Sequence, residues 1–171
     1  MAIQPIVTFP QPVLRDKAKK VTKFDDELKN LINDMAATMY DAPGVGLAAP
    51  QIGVSLQLTV IDTSRNKEER NFLVLANPII VKGEGEQVDE EGCLSVREYA
   101  ANVKRYEKIW VEAQDINGEP LKFEAEGFFA RVVQHELDHL NGTLFIDHLS
   151  SLKRTLYKKK LKKILLEDEQ E

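Results

Sequence analysis

His135-Glu136-Leu137-Asp138-His139 is the stretch of this 171-residue chain that decides its fold and its chemistry. Histidines four residues apart lie on one face of a helix, about one turn from each other, so both imidazoles can reach a single metal ion. The glutamate between them is placed to take a proton from a water that the metal activates. This pattern is more typical of a hydrolytic metal site than of two structural histidines.

The residues after this pentapeptide exclude one common kind of metal site. Zinc proteases with the sequence H-E-x-x-H-x-x-G-x-x-H take a third histidine ligand six residues after the second. Here Gly142 stands in its expected place, but Phe145 occupies the position of the third histidine. The third ligand must therefore come from elsewhere in the chain.

Three residues are candidates for that ligand. His148 follows the end of the metal-binding helix and would have to return through an awkward loop. Glu167 lies in the acidic stretch 167–171, which has the composition of a solvated, frayed tail. Cys93 follows Gly92, which lets the backbone turn sharply beside a thiolate. A buried free cysteine is often only a small hydrophobic residue, but a two-histidine site that lacks a ligand favours this cysteine.

Length and composition predict a single globular domain over residues 1–171. Hydrophobic residues make up 43% and charged residues 30%, as is usual for globular proteins. No apolar run is long enough to span a membrane, and the N-terminus resembles neither a secretory signal nor a transit peptide. The single cysteine excludes an intrachain disulfide and fits a reducing compartment, so we expect a cytoplasmic protein. The net charge of −5 argues against nucleic-acid binding by the whole protein, and we expect no sequence-specific binding.

The first third of the chain predicts an extended segment, a helix and a loop. Residues 1–23 contain three prolines and should wrap around the protein without forming a helix. The apolar spacing in residues 25–40 predicts a helix, with Thr22 or Asp25 as its cap. Residues 44–53 are rich in glycine and small residues, which favours a constrained loop.

The middle of the chain predicts β-strands and the end predicts helices, so the fold class is α+β with antiparallel sheets packed around the metal-binding helix. Residues 65–70 have a turn-like composition, and Asn117-Gly118 is a strong hairpin signal between the last two strands. The metal-binding helix should span 126–141 and end at Asn141-Gly142. Short aliphatic runs mark the predicted strands: 56–62, 72–76, 79–82, 109–114 and 121–125.

A second helix is predicted over residues 149–166, and it carries an unusual concentration of positive charge. Seven of the eleven residues in 153–163 are basic. A solvated surface helix and contact with an RNA phosphate surface both fit this pattern. A partial apolar stripe makes the helix amphipathic; it consists of Leu149, Leu152, Leu156, Leu161, Ile164 and Leu165.

Three sequence motifs, taken together, resemble those of bacterial peptide deformylase. They are residues 44–51 (GVGLAAPQ), 91–95 (EGCLS) and 134–139 (QHELDH), in that order and with similar spacing. The resemblance extends over nearly the whole chain. One departure is Arg97, where many members of the family have proline; it bears on the shape of the loop at residues 95–99 and not on the chemistry.

The resemblance implies a metal-dependent hydrolase that removes the formyl group from formyl-methionine at the N-terminus of nascent polypeptides and releases formate. Glu136 would be the general base and then the acid that protonates the leaving amine. The side-chain amide of Gln51 and the backbone N–H of Leu94 would stabilise the oxyanion. The ligand set from the residues is one cysteine and two histidines. Softness of these ligands suggests zinc, whereas the resemblance implies Fe(II), with zinc or nickel as substitutes.

The same motifs predict where the substrate binds. Gly44 and Gly46 would line a tight approach for the formyl group, and Gly46 could bond to an extended peptide as an added strand does. An apolar pocket should receive the methionine side chain. Its predicted members flank the motifs or share the helix face of His135 and His139, where plain core packing is the alternative role: Val45, Leu94, Phe128 and Val132.

Two other functions compete with this interpretation. The first is a zinc endopeptidase, which Phe145 argues against because it replaces the usual third ligand. The second is a non-catalytic metal-binding or ribosome-associated module. Glu136 and Gln51 argue against that module, since neither residue is needed merely to hold a metal. The resemblance also implies that the basic C-terminal helix is a possible contact with the ribosome.

Overall fold

The computed structural model describes residues 2–64, 68 and 70–170. In this part of the chain an α-helix is followed by strands, the helix that carries His135 and His139, and a long C-terminal helix, which confirms the α+β class. The elements are α1 (Asp26–Asp41), β1 (Gly46–Ala48), β2 (Leu58–Ile61), β3 (Leu73–Glu84), β4 (Gln87–Cys93), β5 (Val96–Arg105), β6 (Lys108–Gln114), β7 (Pro120–Glu126), α2 (Gly127–Leu140) and α3 (Ser151–Glu169).

The strands form two antiparallel sheets. Five strands pair in the order β1-β2-β3-β6-β7, and β4 pairs with β5 in a separate hairpin. The predicted hairpin around Asn117-Gly118 is confirmed, since it joins β6 to β7 in register from Lys108 opposite Glu126 to Gln114 opposite Pro120. Among the described strands, each pair joins strands that are consecutive in the chain, apart from the β3–β6 pair, which encloses the β4–β5 hairpin.

Two predictions in the strand region are wrong, and one pair of strands is not predicted. Residues 72–76 and 79–82 belong to one strand, β3, because a bulge carries the chain through Asn77, whose φ is +50°. Residues 44–53 are not only a loop, since they contain β1 and a 3₁₀ turn at Ala49–Ile52. The β4–β5 hairpin is not predicted, because neither of its strands contains the aliphatic run that marks the others. Of the predicted turn at 65–70, residues 65–67 and 69 lie outside the described residues.

The predicted first helix is confirmed with its cap. Asp25 is extended and its Oδ1 accepts a hydrogen bond from the Leu28 N–H at 3.0 Å. The apolar side of α1 packs on β1 and β2 and builds one part of the core, in which Ile32, Met35 and Met39 are fully buried.

Helix α2 lies across the larger sheet. Its residues Val133 and Leu137 pack against Ile109 and Val111 of β6 and form a second part of the core. The predicted stop is confirmed, because Gly142 has φ +74° and a side chain there would meet the Arg15 carbonyl oxygen at 2.4 Å. The helix is therefore held at both its sheet face and its C-terminal end.

The segment before α1 runs along the protein and ties separate elements together. The backbone N–H of Val7 donates to Gln51, that of Phe9 to Ser95, and that of Ala18 to Leu140, at 2.7, 2.8 and 2.9 Å. Its helical content is one 3₁₀ turn, Pro12–Arg15. These bonds join the 3₁₀ turn after β1, the β4–β5 turn and the end of α2.

Helix α3 differs from the prediction in its bounds and its buried face. It begins two residues after the predicted start and continues to Glu169, so most of the acidic stretch is helical. Its buried residues are Tyr157, Leu161 and Ile164, whereas Leu152 and Leu156 are exposed. The predicted apolar stripe is therefore wrong at Leu152 and Leu156, because the buried face of the helix is the seam at i, i+4 and i+7 that begins at Tyr157. No helix in the described part of the chain has the length and hydropathy of a membrane span.

An ion pair between the N-terminal segment and the turn before α3 should make stability depend on pH. Arg15 Nη1 contacts Asp147 Oδ2 at 2.5 Å, and the Leu144 N–H donates to the same oxygen. Burial alone would raise the pKa of Asp147, but these two donors lower it below its usual value. A lowered pKa in the folded state stabilises the protein above the unfolded pKa, and the effect is lost as the pH falls through the folded pKa.

We therefore expect Asp147→Asn to reduce the free energy of unfolding by up to about 1 kcal/mol at pH 7 and by less at pH 3. Urea unfolding at both pH values measures this. Glu84→Gln, which breaks the exposed Lys82–Glu84 pair, is the control and should change little at either pH. An Asp147→Asn effect of equal size at pH 7 and pH 3 would contradict the prediction.

Candidate active site

The structure brings one cysteine and two histidines together as the sequence predicts. The ligand atoms of Cys93, His135 and His139 all lie within 4.8 Å of one another, and Cys93 Sγ is 3.3 Å from His139 Nε2. Within residues 2–64, 68 and 70–170, no other group of three such side chains meets this spacing. His148 lies outside the group and contacts Asp138 Oδ2 at 2.8 Å.

The chemistry of these three donors fits a divalent transition metal. A thiolate with two imidazoles, and room for a fourth ligand, is typical of catalytic rather than structural metal sites. Nδ1 of His135 lies 2.8 Å from Oε1 of Glu91. Because a carboxylate only accepts, Nδ1 carries the proton and Nε2 is left to bind a metal. His139 Nδ1 is buried and has no partner among the described residues.

Glu91 is the centre of a buried cluster of charges beside the metal ligands. Its two oxygens accept from Arg105 Nε and Nη2, both at 2.9 Å, and from Arg131 Nη1 as well as His135. Burial alone would raise the pKa of Glu91, but Arg105 and His135 lower it to about 2. The carboxylate therefore stays ionised and orients the His135 ring.

Glu136 is buried next to the backbone of β1. A side chain on Gly46 would meet Glu136 Oε1 at 2.7 Å, so only glycine leaves room for this carboxylate. Oε2 has no hydrogen-bond partner in the described part of the chain. Burial raises the pKa of Glu136 to about 7; His135 opposes the shift, and the carboxylates of Glu91 and Asp138 add to it. Such a group can both take up and release a proton near neutral pH.

The pKa values of the two histidines move in opposite directions. Burial lowers the pKa of His139 well below its usual value, and the charge of His135 adds to this. Burial also opposes protonation of His135, but hydrogen bonds to Cys93 and Glu91 raise its pKa well above the usual value. Neutral imidazole is the form that binds a metal, so His139 is ready for this role and His135 depends on Glu91 to hold its remaining proton at Nδ1.

Gln51 is held in one orientation beside the three metal-ligand candidates. Its Oε1 accepts from the Ala48 N–H at 2.9 Å, and its Nε2 donates to Ser95 Oγ at 3.2 Å and lies 3.7 Å from Cys93 Sγ. The amide nitrogen therefore faces the site. Leu94 occupies the turn between β4 and β5, directly after Cys93.

A cavity of about 460 Å³ contains most of the predicted site residues. Phe128 and Val45 line it with more than a third of their surface exposed, so they form its rim, whereas Val132 is buried in its wall. A larger cavity, of about 670 Å³, lies elsewhere and is lined by none of Cys93, His135 and His139. The lining of the smaller one is Pro43, Gly44, Val45, Gly46, Gln51, Glu90, Glu91, Gly92, Cys93, Leu94, Phe128, Arg131, Val132, His135 and Glu136.

Sequence reasoning missed three residues of this site. The motifs include Glu91 without assigning it a role, and they predict nothing for Arg105 and Arg131. Arg131 precedes His135 by four residues and so lies on the same helix face. That spacing is a signal that could have identified it, whereas the pairing of Glu91 with Arg105 depends on the unpredicted β4–β5 hairpin.

Comparison with known proteins gives consistent results. The family model for polypeptide deformylase matches residues 3–155. The chain is 61% identical to the peptide deformylase of Desulfotalea psychrophila over 167 residues, which cover 97% of this chain and 99% of that protein. It is 48% identical to that of Acidobacterium capsulatum over 164 residues, which cover 96% of each.

Solved structures agree with these sequence matches. The crystal structure of a peptide deformylase from Legionella pneumophila has a TM-score of 0.91 at 49% identity and covers 99% of both chains. The structure of a peptide deformylase from Synechococcus elongatus, in complex with actinonin, has a TM-score of 0.86 at 43% identity, covering 92% of this chain and 85% of that one.

The contact between Gly46 and Glu136 gives a direct test of the site geometry. We expect Gly46→Ala to push the carboxylate away and to lower turnover by about 100-fold, since a displacement of about 1 Å in a catalytic group costs this much. Metal content and the urea midpoint, measured on the same preparation, separate this effect from loss of the ion or of the fold. Turnover equal to that of the wild type would show that Glu136 does not need this space.

Proposed function

This chain belongs to the polypeptide deformylase family, and from that premise we propose how its residues carry out the family's reaction. The protein is a metal-dependent hydrolase that removes the formyl group from formyl-methionine at the N-terminus of nascent polypeptides and releases formate. The observation that supports the assignment of residues is that Gln51, Cys93, His135 and Glu136 line a single cavity. The ligand atom of His139 lies within 4.8 Å of those of Cys93 and His135.

Cys93, His135 and His139 are the proposed metal ligands. A divalent cation bound there would polarise the formyl oxygen and acidify a water. Glu91 supports the proposal from outside the ligand group, because its contact with Nδ1 leaves His135 Nε2 free to bind. His148 is not proposed as a ligand, because it pairs with Asp138.

Glu136 is the proposed proton carrier. It takes a proton from the attacking water and delivers it to the departing amine, as a buried carboxylate with an unpaired oxygen can. The Gln51 side-chain amide and the Leu94 backbone N–H are the proposed donors to the oxyanion that forms at the formyl carbon. Support for Gln51 comes from its hydrogen bonds to the Ala48 N–H and to Ser95 Oγ, which hold Nε2 at 3.7 Å from Cys93 Sγ.

The proposed substrate-binding residues surround the rest of the cavity. Gly44 and Gly46 line the narrow approach for the formyl group, and the backbone of Gly46 can bond to an extended peptide. Val45, Leu94, Phe128 and Val132 receive the methionine side chain. Burying an unbranched side chain of this size among apolar groups contributes about 1.5–3 kcal/mol to binding.

We propose Fe(II) as the native ion, with zinc or nickel able to substitute. Two imidazoles and a thiolate accept all three ions. A thiolate beside Fe(II) is prone to oxidation, which fits action in a reducing cytoplasm. We also propose that residues 1–171 form a single catalytic domain, because the N-terminal segment bonds directly to Gln51 and Ser95.

Formate release from a formyl-methionyl peptide, with protein prepared without oxygen, tests the function. We expect the wild type to release formate, and Glu136→Ala to lose at least about 100-fold in turnover with its metal content unchanged, because a general base contributes this much. Glu126→Gln alters an exposed glutamate at the start of the same helix and should keep full activity.

The alternatives predict different results from the same assay. Internal peptide cleavage without formate would indicate an endopeptidase, and neither activity would indicate a metal-binding module. Loss of the metal from Glu136→Ala would show that its carboxylate is a ligand instead of the proton carrier.

We further propose that α3 contacts the ribosome. Exposed lysines lie on the side of α3 opposite its buried seam of Tyr157, Leu161 and Ile164. These lysines are positively charged in a protein whose net charge is −5. Ribosomal RNA, beside which nascent chains are processed, presents phosphate groups of the opposite charge. Leu152 and Leu156 extend this exposed face without covering any part of the body.

Reversing three of these charges should weaken co-sedimentation with ribosomes. We expect the triple variant Lys159→Glu, Lys162→Glu and Lys163→Glu to lose binding at low salt and the wild type to lose it as salt rises. Lys20→Glu, Lys23→Glu and Lys122→Glu together make the same change of charge elsewhere and serve as the control. Equal binding by both triple variants and the wild type would contradict the proposal.

A further inference from the structure

One wall of the substrate cavity is charged. Arg131 lines the cavity together with Phe128, Val132 and His135, which follow it or precede it on the same face of α2. The Arg131 side chain is only 4% exposed, so its guanidinium is buried. The cavity proposed to receive the methionine side chain is therefore not lined by apolar side chains alone.

The guanidinium has hydrogen-bonding capacity left over. Arg131 Nη1 donates to Glu91 Oε2, Nε donates to Gln87 Oε1 at 3.2 Å, and Nη2 donates to the Gln87 carbonyl oxygen at 3.4 Å. A guanidinium has five N–H donors. Within residues 2–64, 68 and 70–170 these three contacts are the ones recorded for it, which leaves one N–H on each Nη without an acceptor.

The position of Arg131 matches the reach of the substrate. His135 lies one helical turn further along α2, and one turn rises about 5.4 Å. The sulfur of formyl-methionine lies five bonds from the formyl carbon, about 6 Å in an extended chain. When the formyl group lies beside the cysteine and histidine side chains, the methionine sulfur can reach as far along the α2 axis as Arg131.

We propose that Arg131 is a specificity-determining residue that donates an N–H to the thioether sulfur of the substrate methionine. The proposal rests on the proposed function of the cavity and deepens it. A thioether sulfur is a weak acceptor and is polarisable, whereas a methylene in the same place accepts nothing. Norleucine has the shape of methionine with a methylene for the sulfur, so it leaves the buried donor unsatisfied.

The ratio of kcat/KM for formyl-methionyl and formyl-norleucyl peptides measures this contact. We expect the wild type to prefer methionine by about three- to tenfold, the range of a single net hydrogen bond. Arg131→Leu should bring the ratio close to one. Arg131→Gln keeps an N–H donor and should keep part of the preference.

Arg105→Lys is the matched control. Arg105 bonds to the same Glu91 carboxylate but does not line this cavity. We expect the Arg105→Lys variant to lower the turnover of both peptides by the same factor, because the substitution weakens the contact with Glu91. The ratio of kcat/KM for the two peptides should stay as in the wild type.

Two results would overturn the proposal. One is a wild-type ratio of one or less, which needs no variant and so holds even if Arg131→Leu fails to fold. The other is a ratio for Arg131→Leu that equals the ratio for Arg105→Lys, whether both variants keep the preference or both lose it. If the wild type released formate from neither peptide, the proposed function would be overturned instead.

Discussion

The buried carboxylate of Glu91 is the interaction on which the rest of the site depends. It joins the β4–β5 hairpin to α2 by accepting from Arg105, Arg131 and His135. Such a cluster is costly to break, since removing one partner of a buried ion pair typically destabilises a protein by about 3–5 kcal/mol. Cys93 lies two residues after Glu91, and His139 lies four residues after His135. The contact between Glu91 and His135 therefore sets the distance between Cys93 and the two histidines.

The N-terminal segment holds the other side of the site in place. Val7 bonds to Gln51 through its N–H and accepts from Ser95 Oγ through its carbonyl. Ser95 in turn accepts from the Gln51 amide and donates its N–H to Cys93 Sγ at 3.4 Å. A segment with almost no regular structure thus connects the 3₁₀ turn after β1 to the turn that carries the cysteine.

Local patterns could be predicted from the sequence because they depend on nearby residues. The two histidines and Glu136 follow from helical periodicity, and Asp25 and Gly142 mark helix ends through their own backbone chemistry. Cys93 required elimination among distant residues, and the roles of Gln51 and Leu94 required a family resemblance. Their placement around one cavity agrees with that resemblance, although their catalytic roles stay predictions.

The misses have a common physical cause, which is that they depend on contacts between distant parts of the chain. Asn77-Pro78 looks like a break, but pairing on both sides carries β3 through it as a bulge. Residues 46–48 have little strand propensity and form β1 because β2 pairs with them. Arg131 reads as a surface residue on an apolar helix until Glu91 is known to face it.

X-ray absorption at the zinc edge of zinc-loaded protein tests the central claim most directly, namely that one cysteine and two histidines hold the ion. The account predicts one sulfur at about 2.3 Å and two imidazole nitrogens at about 2.0–2.1 Å in the wild type, and loss of the sulfur in Cys93→Ser. A wild-type spectrum with no sulfur, or with a third imidazole that disappears in His148→Ala, would contradict it.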